Sequence, residues 1–243
     1  SKGPRFQVSK GLMTVLVSTV VLFVLCAVIA PSSVSSGPLG SMIPFASILA
    51  IAGLGQMLVI QQAGIDLSVP SAISLAAVIV TKFPQGDDGK LLSAIFIALG
   101  VAVLVGLLNG FLIGFLKLNP IIATLGTNAL LFGFIMAITG GIPSSSAPLL
   151  LAVVSGLTFG VPNSAFIATA ILLLVVLALR KTVAGRRFES IGSSPAMASI
   201  SGLRVRIHHG MAYVWAQLLY SVAGIMIAGI ITVSNAFMGD PYL

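Results

Sequence analysis

An all-α, polytopic membrane helix bundle is the fold this sequence predicts, and three observations predict it. Of 243 residues, 58% are hydrophobic and only 7% charged, where a soluble domain carries about a quarter. The mean hydropathy of +1.16 leaves too little polar surface to cover a water-facing globule. The charges are also confined: residues 11–65, 67–81, 91–116, 118–179 and 207–239 contain none. At about 20 apolar residues per crossing, the apolar content caps the count at about seven spans.

Each span follows from the charge-free stretches and the Gly and Pro clusters that divide them. They fall near 12–30, 42–62, 68–83, 91–116, 121–139, 163–180 and 210–235. Residues 12–30 form an uncharged run behind a basic start (Lys2, Arg5, Lys10); the run is too long for a secretory leader and reads as a span. The third segment is short. Its 15 charge-free residues, 67–81, make about 22 Å of helix against a hydrocarbon core of about 30 Å. Counting it as a crossing puts Lys2, Arg5, Lys10, Lys117, Arg180, Lys181, Arg186, Arg187, Arg204 and Arg206 on one face, with Lys82 and Lys90 opposite. That bias predicts a multi-pass protein with a cytoplasmic amino terminus. The approach to this span, residues 61–70, reads as a broken helix, with Gly64 and Pro70 as breakers.

Asp66 stands out, because a carboxylate inside a membrane costs about 2.5 to 3.5 kcal/mol. Two readings stand: Asp66 or Ser68 caps the third helix with Pro70 in its first turn, or Asp66 meets solute directly. Asn109, Thr124, Thr127 and Asn128 are candidate polar groups of a substrate pathway, since amides and hydroxyls exchange hydrogen bonds with sugar-like hydroxyls. The competing role is helix packing, with Gly106, Gly110 and Gly114 at four-residue spacing.

The net charge of +7 belongs to short basic loops without interleaved aromatics, which argues against nucleic acid. Cys26 is the single cysteine, so neither an intrachain disulfide nor a Cys-based metal site follows. His208 and His209 are adjacent rather than one turn apart, so no metal site is expected there. Gly89-Lys90 lacks the remainder of a phosphate loop, and no catalytic constellation is expected, so the chain reads as no enzyme and as needing no cofactor. The spans carry too few ionisable groups for ion coupling. An energy-supplying partner is the alternative, and it directs attention to the loop 181–209. There Ser194-Pro195 and Gly202 frame a short helix near 194–201, with cap, first-position proline and stop. Gly185, Arg186, Phe188, Ile191 and Gly192 lead into it, with Phe188 and Ile191 as apolar knobs and Met197 within the helix itself. The six basic residues Arg180, Lys181, Arg186, Arg187, Arg204 and Arg206 fit an anionic-lipid anchor as well. Residues 140–162 form an opposite-side loop whose apolar run, 148–156, is too short to cross.

Several stretches in order resemble the permease subunits of ATP-binding-cassette importers of the ribose and related monosaccharide type: residues 64–69, Asn109-Gly110, residues 119–127, residues 139–141, Thr182 with Gly185-Arg186, Ile191-Gly192 and Ser201-Gly202. The resemblance implies a single permease domain over 1–243 in the cell inner membrane. It implies a second permease chain, identical or related, a separate ATPase subunit seated on the coupling segment, and an extracytoplasmic sugar-binding protein. ATP hydrolysis would reside on the partner. Such permeases usually have more spans, so the resemblance implies further carboxyl-terminal helices. Pro70 where Gly is usual, Asn119 before Pro120, and the absence of acidic residues after Ser194 depart from the family pattern. The alternative function is an ATP-independent channel or secondary transporter for a small polar solute.

Overall fold

The chain divides into two compact units, residues 1–43 and 44–243, and a computed structural model describes residues 9–231, 233–234 and 237–242. Lys2 and Arg5 therefore lie outside the described residues.

In the first unit, helix α1 (Lys10–Ile29) is capped by Ser9, whose Oγ accepts from Leu12 N at 3.2 Å. The helix is apolar on every side and buries none of its residues, as expected of a helix whose neighbour is lipid. Thr14, Ser18 and Thr19 donate their hydroxyls to carbonyls one turn back. Even its polar side chains are satisfied within the helix. A 3-10 turn at Pro31–Val34 leads to α2 (Ser36–Gln61), which runs through Pro44 into the second unit.

In that unit α2 buries Ile48, Ile51, Ala52, Gly55, Leu58 and Val59, a stripe at three- and four-residue spacing. Helix α3 (Val69–Lys82), α4 (Leu91–Gly110) and α5 (Pro120–Thr139) follow. Asn119 caps α5 by accepting from Ile121 N at 2.9 Å, with Pro120 at its first position. The other helices are α6 (Pro148–Ser155), α7 (Asn163–Lys181), α8 (Val183–Ser193), α9 (Pro195–Ile200) and α10 (Val205–Ala228). Strand β1 (Ser144–Ser145), the hairpin β2 (Leu157–Thr158) and β3 (Val161–Pro162), and β4 (Val233–Ser234) are two-residue pieces; β1 pairs antiparallel with β4. Among the described residues, six helices are long and apolar enough to cross a membrane, and α3 is a shorter apolar helix. The last span starts at Val205, five residues before the position the sequence predicts, and stops at Ala228.

Helices α3 and α10 form the core, packed against each other and against α4. Twelve of the fourteen residues of α3 are buried. Its shortness follows from where it sits. The chain between α2 and α3, residues 64–68, has no regular structure, which is tolerated where protein rather than lipid surrounds the backbone. Its far end leads to Asp87–Lys90, and Asp88 Oδ1 there accepts from Leu149 N of α6 at 2.8 Å. Its near end adjoins α8 through Gln62, whose Nε2 donates to Phe188 O at 2.9 Å. The irregular segment and α3 thus run from the contact with α8 to the contact with α6.

The contact between α4 and α10 depends on small residues. A Cβ added at Gly106 would lie 2.5 Å from Val214 Cα; one at Gly110 would lie 2.6 Å from Gly210 O; one at Gly114 would lie 2.8 Å from Arg206 O. The four-residue glycine spacing is therefore a close backbone seam. Past Gly110 the helix loosens into a π turn, Phe111–Phe115, closed by Leu116 N donating to Phe111 O at 3.1 Å. It ends with Lys117 in the left-handed region, φ 56°.

The apolar run at 148–156 becomes α6, folded over the end of α10. Ser155 Oγ donates to Gly229 O at 2.7 Å and Ser146 Oγ to Ala228 O. These bonds satisfy carbonyls that a helix end otherwise leaves open.

Candidate functional site

The break between α2 and α3 is where the predicted polar residues meet. Helix α2 stops in a Schellman arrangement: Gly64 N donates to Val59 O at 3.0 Å and Ala63 N to Ile60 O at 2.9 Å. The left-handed residue is Ala63, φ 57°, not the glycine. Gly64 serves differently from the expected breaker, since a Cβ there would come 2.5 Å from the hydroxyl of buried Tyr213. Pro70 sits in the first turn of α3, where a missing N–H costs nothing.

Neither Asp66 nor Ser68 caps α3 with its side chain. Ser68 holds the cap position without a side-chain cap bond, and Asp66 Oδ1 accepts instead from Ser68 N at 2.9 Å and Ser68 Oγ at 2.5 Å. The cap comes from α5: Asn128 Oδ1 accepts from Ser71 N at 3.2 Å, and Ser71 Oγ donates to Asn128 O at 2.9 Å. Thr124 Oγ1 of the same helix accepts from Leu67 N at 3.0 Å and donates to Pro120 O at 2.8 Å. One face of α5 thus supplies acceptors for backbone N–H groups on either side of Ser68. A lipid environment offers them no other partner.

The Ser68 hydroxyl anchors a second set of bonds. It accepts from Gln217 Nε2 at 2.7 Å and from Asn109 Nδ2 at 3.3 Å while donating to Asp66, so its one proton and two lone pairs are all used. Gln217 Nε2 also reaches Asp66 Oδ2 at 3.2 Å, and Thr127 Oγ1 donates to Asn109 Oδ1 at 2.6 Å. Asp66, Ser68, Asn109 and Thr124 are fully buried, and Thr127 and Gln217 nearly so; Asn128 is half-buried. Thr127 lies seven residues into α5, about 10 Å along its axis. The structure therefore gathers the six residues around the break in separate sets of bonds: Asp66, Ser68, Asn109 and Thr127 in a network with Gln217, and Thr124 and Asn128 on the backbone of Leu67 and Ser71. Asp66 is held there by hydrogen bonds alone, with no ion-pair partner among the described residues.

Gln217 and Ser71 complete these sets and were not predicted. Gln217 had a usable signal, being an amide in the middle of an uncharged run; Ser71 had none beyond its place in the first turn of α3.

The residues predicted for partner coupling divide into two groups. Gly185, Phe188 and Ile191 are buried, and Phe188 packs with Leu58 and Ala212. A side chain at Gly192 would strike Gln61 O. Phe188 and Ile191 therefore point into the chain's own bundle rather than outward, because α8 is amphipathic and its apolar face is the one that docks. Arg186, Pro195 and Gly202 are exposed. Ser194 caps α9, accepting from Met197 N at 3.4 Å. The free apolar knobs are Met197, 63% exposed, and Ile200, 81% exposed, with Ala198 buried behind them.

A family model described as branched-chain amino acid transport system / permease component matches residues 39–242. The chain is 34% identical to a probable ABC transporter permease protein, y4mJ, of Sinorhizobium fredii, over 81% of this chain and 59% of the relative. It is 34% identical to the galactofuranose transporter permease protein YtfT of Escherichia coli, over 77% and 55%. It is 26% identical to the ribose import permease protein RbsC of Haemophilus influenzae, over 98% and 76%. The chain thus spans between about half and three quarters of the length of these relatives. No solved structure matches it.

Proposed function

The chain belongs to the family of permease components of the branched-chain amino acid transport type, and on that premise we propose that it is the membrane-spanning permease subunit of an ATP-binding-cassette importer for a monosaccharide. Relatives named for galactofuranose and ribose support the substrate class. The energy comes from ATP hydrolysis on a separate subunit, and an extracytoplasmic binding protein delivers the sugar to a pair of permease chains, identical or related. The ends bearing Lys117, Arg180, Lys181, Arg204 and Arg206 face the cytoplasm of the cell that holds this inner-membrane protein, as does the amino terminus.

One observation carries the coupling mechanism: the segment that meets α8 is the segment that continues into the break. Gln61 and Gln62 touch Gly192 and Phe188, and Asp66 lies four residues further on. A force applied at α9 reaches α8 and then, through Gln61 and Gln62, the start of the break. Nucleotide-driven closure of the ATPase displaces α8 and α9 as a unit, and the break transmits that displacement to α3. Asn109, Thr124, Thr127 and Asn128 hold the break together in the present arrangement. They become the polar wall of the sugar pathway when α3 and α5 part, the hydroxyls of the solute replacing those of the cluster.

Met197 and Ile200 are the anchors presented to the ATPase. In proteoliposomes carrying the whole importer, Met197→Glu with Ile200→Glu should cut ATP-dependent uptake by about 30-fold, the loss of a two-kcal hot spot, and lower the amount of ATPase recovered with a tagged chain. Full uptake by this variant would remove α9 from the coupling route. Solute passage without ATP or ATPase would select the channel reading instead.

A further inference from the structure

A basic cavity opens where the π end of α4 meets α9 and the start of α10. It has a volume of about 660 Å³, and Lys117, Arg204, Arg206 and His209 line it together with Phe115 and Ile207. Among the described residues, no Asp or Glu contributes to its wall. The ion pair found among the described residues joins Lys90 to Asp87 at the opposite end of the bundle, so the three cationic side chains of this wall meet no carboxylate. His209 Nε2 is buried without a hydrogen-bond partner among the described residues. Lys117 is held at a left-handed φ of 56°, a conformation that a lysine adopts only where its surroundings impose it.

The wall is not uniformly polar. Phe115 stacks on Phe111 with ring centroids 6.1 Å apart, and both rings are about half exposed. They belong to a helix read as a membrane span, so an apolar track leads from the charged cavity along the membrane-facing surface. Cationic groups beside a continuous apolar strip match the two parts of a phospholipid.

We infer that this cavity binds the phosphate headgroup of an anionic phospholipid, with Lys117, Arg204 and Arg206 meeting the phosphate and Phe111 and Phe115 supporting an acyl chain. The apolar track favours a lipid over a free phosphate, which would have no use for it. The inference requires only that the chain spans a membrane, and it stands apart from the transport reading.

The test uses the full chain in nanodiscs of phosphatidylcholine containing phosphatidylglycerol, with retained lipid counted by native mass spectrometry. Lys117→Gln with Arg204→Gln and Arg206→Gln should lower phosphatidylglycerol retention about tenfold, while the charge-preserving set Lys117→Arg, Arg204→Lys and Arg206→Lys retains it. Removing three exposed charges elsewhere, Arg180→Gln, Lys181→Gln and Arg187→Gln, should leave retention unchanged. Phe115→Ala should weaken the lipid without altering binding of glycerol phosphate. Equal loss in both glutamine sets would reveal only diffuse surface charge and overturn the site. Complete displacement by glycerol phosphate would make it a phosphate site without a lipid. A glutamine variant that keeps its lipid but loses a co-purified ATPase would reassign the cavity to an acidic protein contact.

Discussion

Leucine in place of Gly110 is expected to prevent the second unit from folding. Its Cβ alone would lie 2.6 Å from Gly210 O and 2.9 Å from Gly210 Cα. Both obstructing atoms are backbone, so no rotamer change relieves the overlap. Helices α4 and α10 would have to separate along the seam that also includes Gly106 and Gly114, at a cost of about 3 kcal/mol or more. The chain's one tryptophan reports on this directly, since Trp215 lies on α10 beside Val214, the residue that faces Gly106. Fluorescence-detected denaturant titration in detergent should show no cooperative transition for Gly110→Leu. Gly133→Ala is the control: it lies on α5, where an added Cβ meets nothing within 4 Å. There alanine should stabilise by about 0.5 to 1 kcal/mol through backbone entropy. A normal transition for Gly110→Leu would refute the close seam.

The second large effect is at Asp66. Asp66→Ala removes the acceptor for Ser68 N and Ser68 Oγ and one of the two acceptors of Gln217 Nε2. Buried donors left without partners cost about 1 to 3 kcal/mol each, so this variant should lose about 2 to 4 kcal/mol in the same titration. Asp66→Asn keeps an oxygen for Ser68. Its new donor can be met by Gln217 Oε1, which lacks a partner, if that amide turns over; the loss should then stay within about 1 kcal/mol. The pair of variants separates the shape of the cluster from the charge at its centre. Equal losses would mean that the negative charge itself, rather than the hydrogen bonds, holds the break together.

The spans were legible because lipid imposes one rule on all of them: apolar length without charge. Helices α1, α5 and α7 begin and end within a few residues of the sequence expectation. Ser194, Pro195 and Gly202 marked α9 for an equally local reason, each acting on backbone within one turn of itself. The glycine seam was legible too, since its spacing is the period of a helix face. What stayed hidden were relations between distant residues. Nothing near Ser71 announces that its N–H is met by Asn128, 57 positions away, and nothing near Phe188 announces that it faces Leu58. The sequence of α8 mixes apolar, basic and acidic residues within eleven positions; only the bundle decides which side is inside. Capping was expected from the immediate neighbours of α3 because local rules favour them, yet Asp66 and Ser68 are engaged with Gln217 and Asn109, and another helix supplies the cap.

The separation between the break and its partners has a bearing on biogenesis. As the nascent polypeptide emerges, α3 is synthesised long before α5 and α10; Asp66 waits 151 residues for Gln217. Until α5 follows, the amides of Leu67 and Ser71 lack Thr124 and Asn128, and until α10 follows Asp66 has only the neighbouring Ser68 as a donor. The early intermediate therefore keeps this stretch at the aqueous mouth of the translocon or sheltered by the insertion machinery, and α3 takes its final depth when α10 arrives. Segment order along the gene thus sets a late, cooperative closing step in assembly, and ribosome-stalled chains ending before residue 217 should leave Ser68 accessible to water-soluble thiol reagents once it is replaced by cysteine.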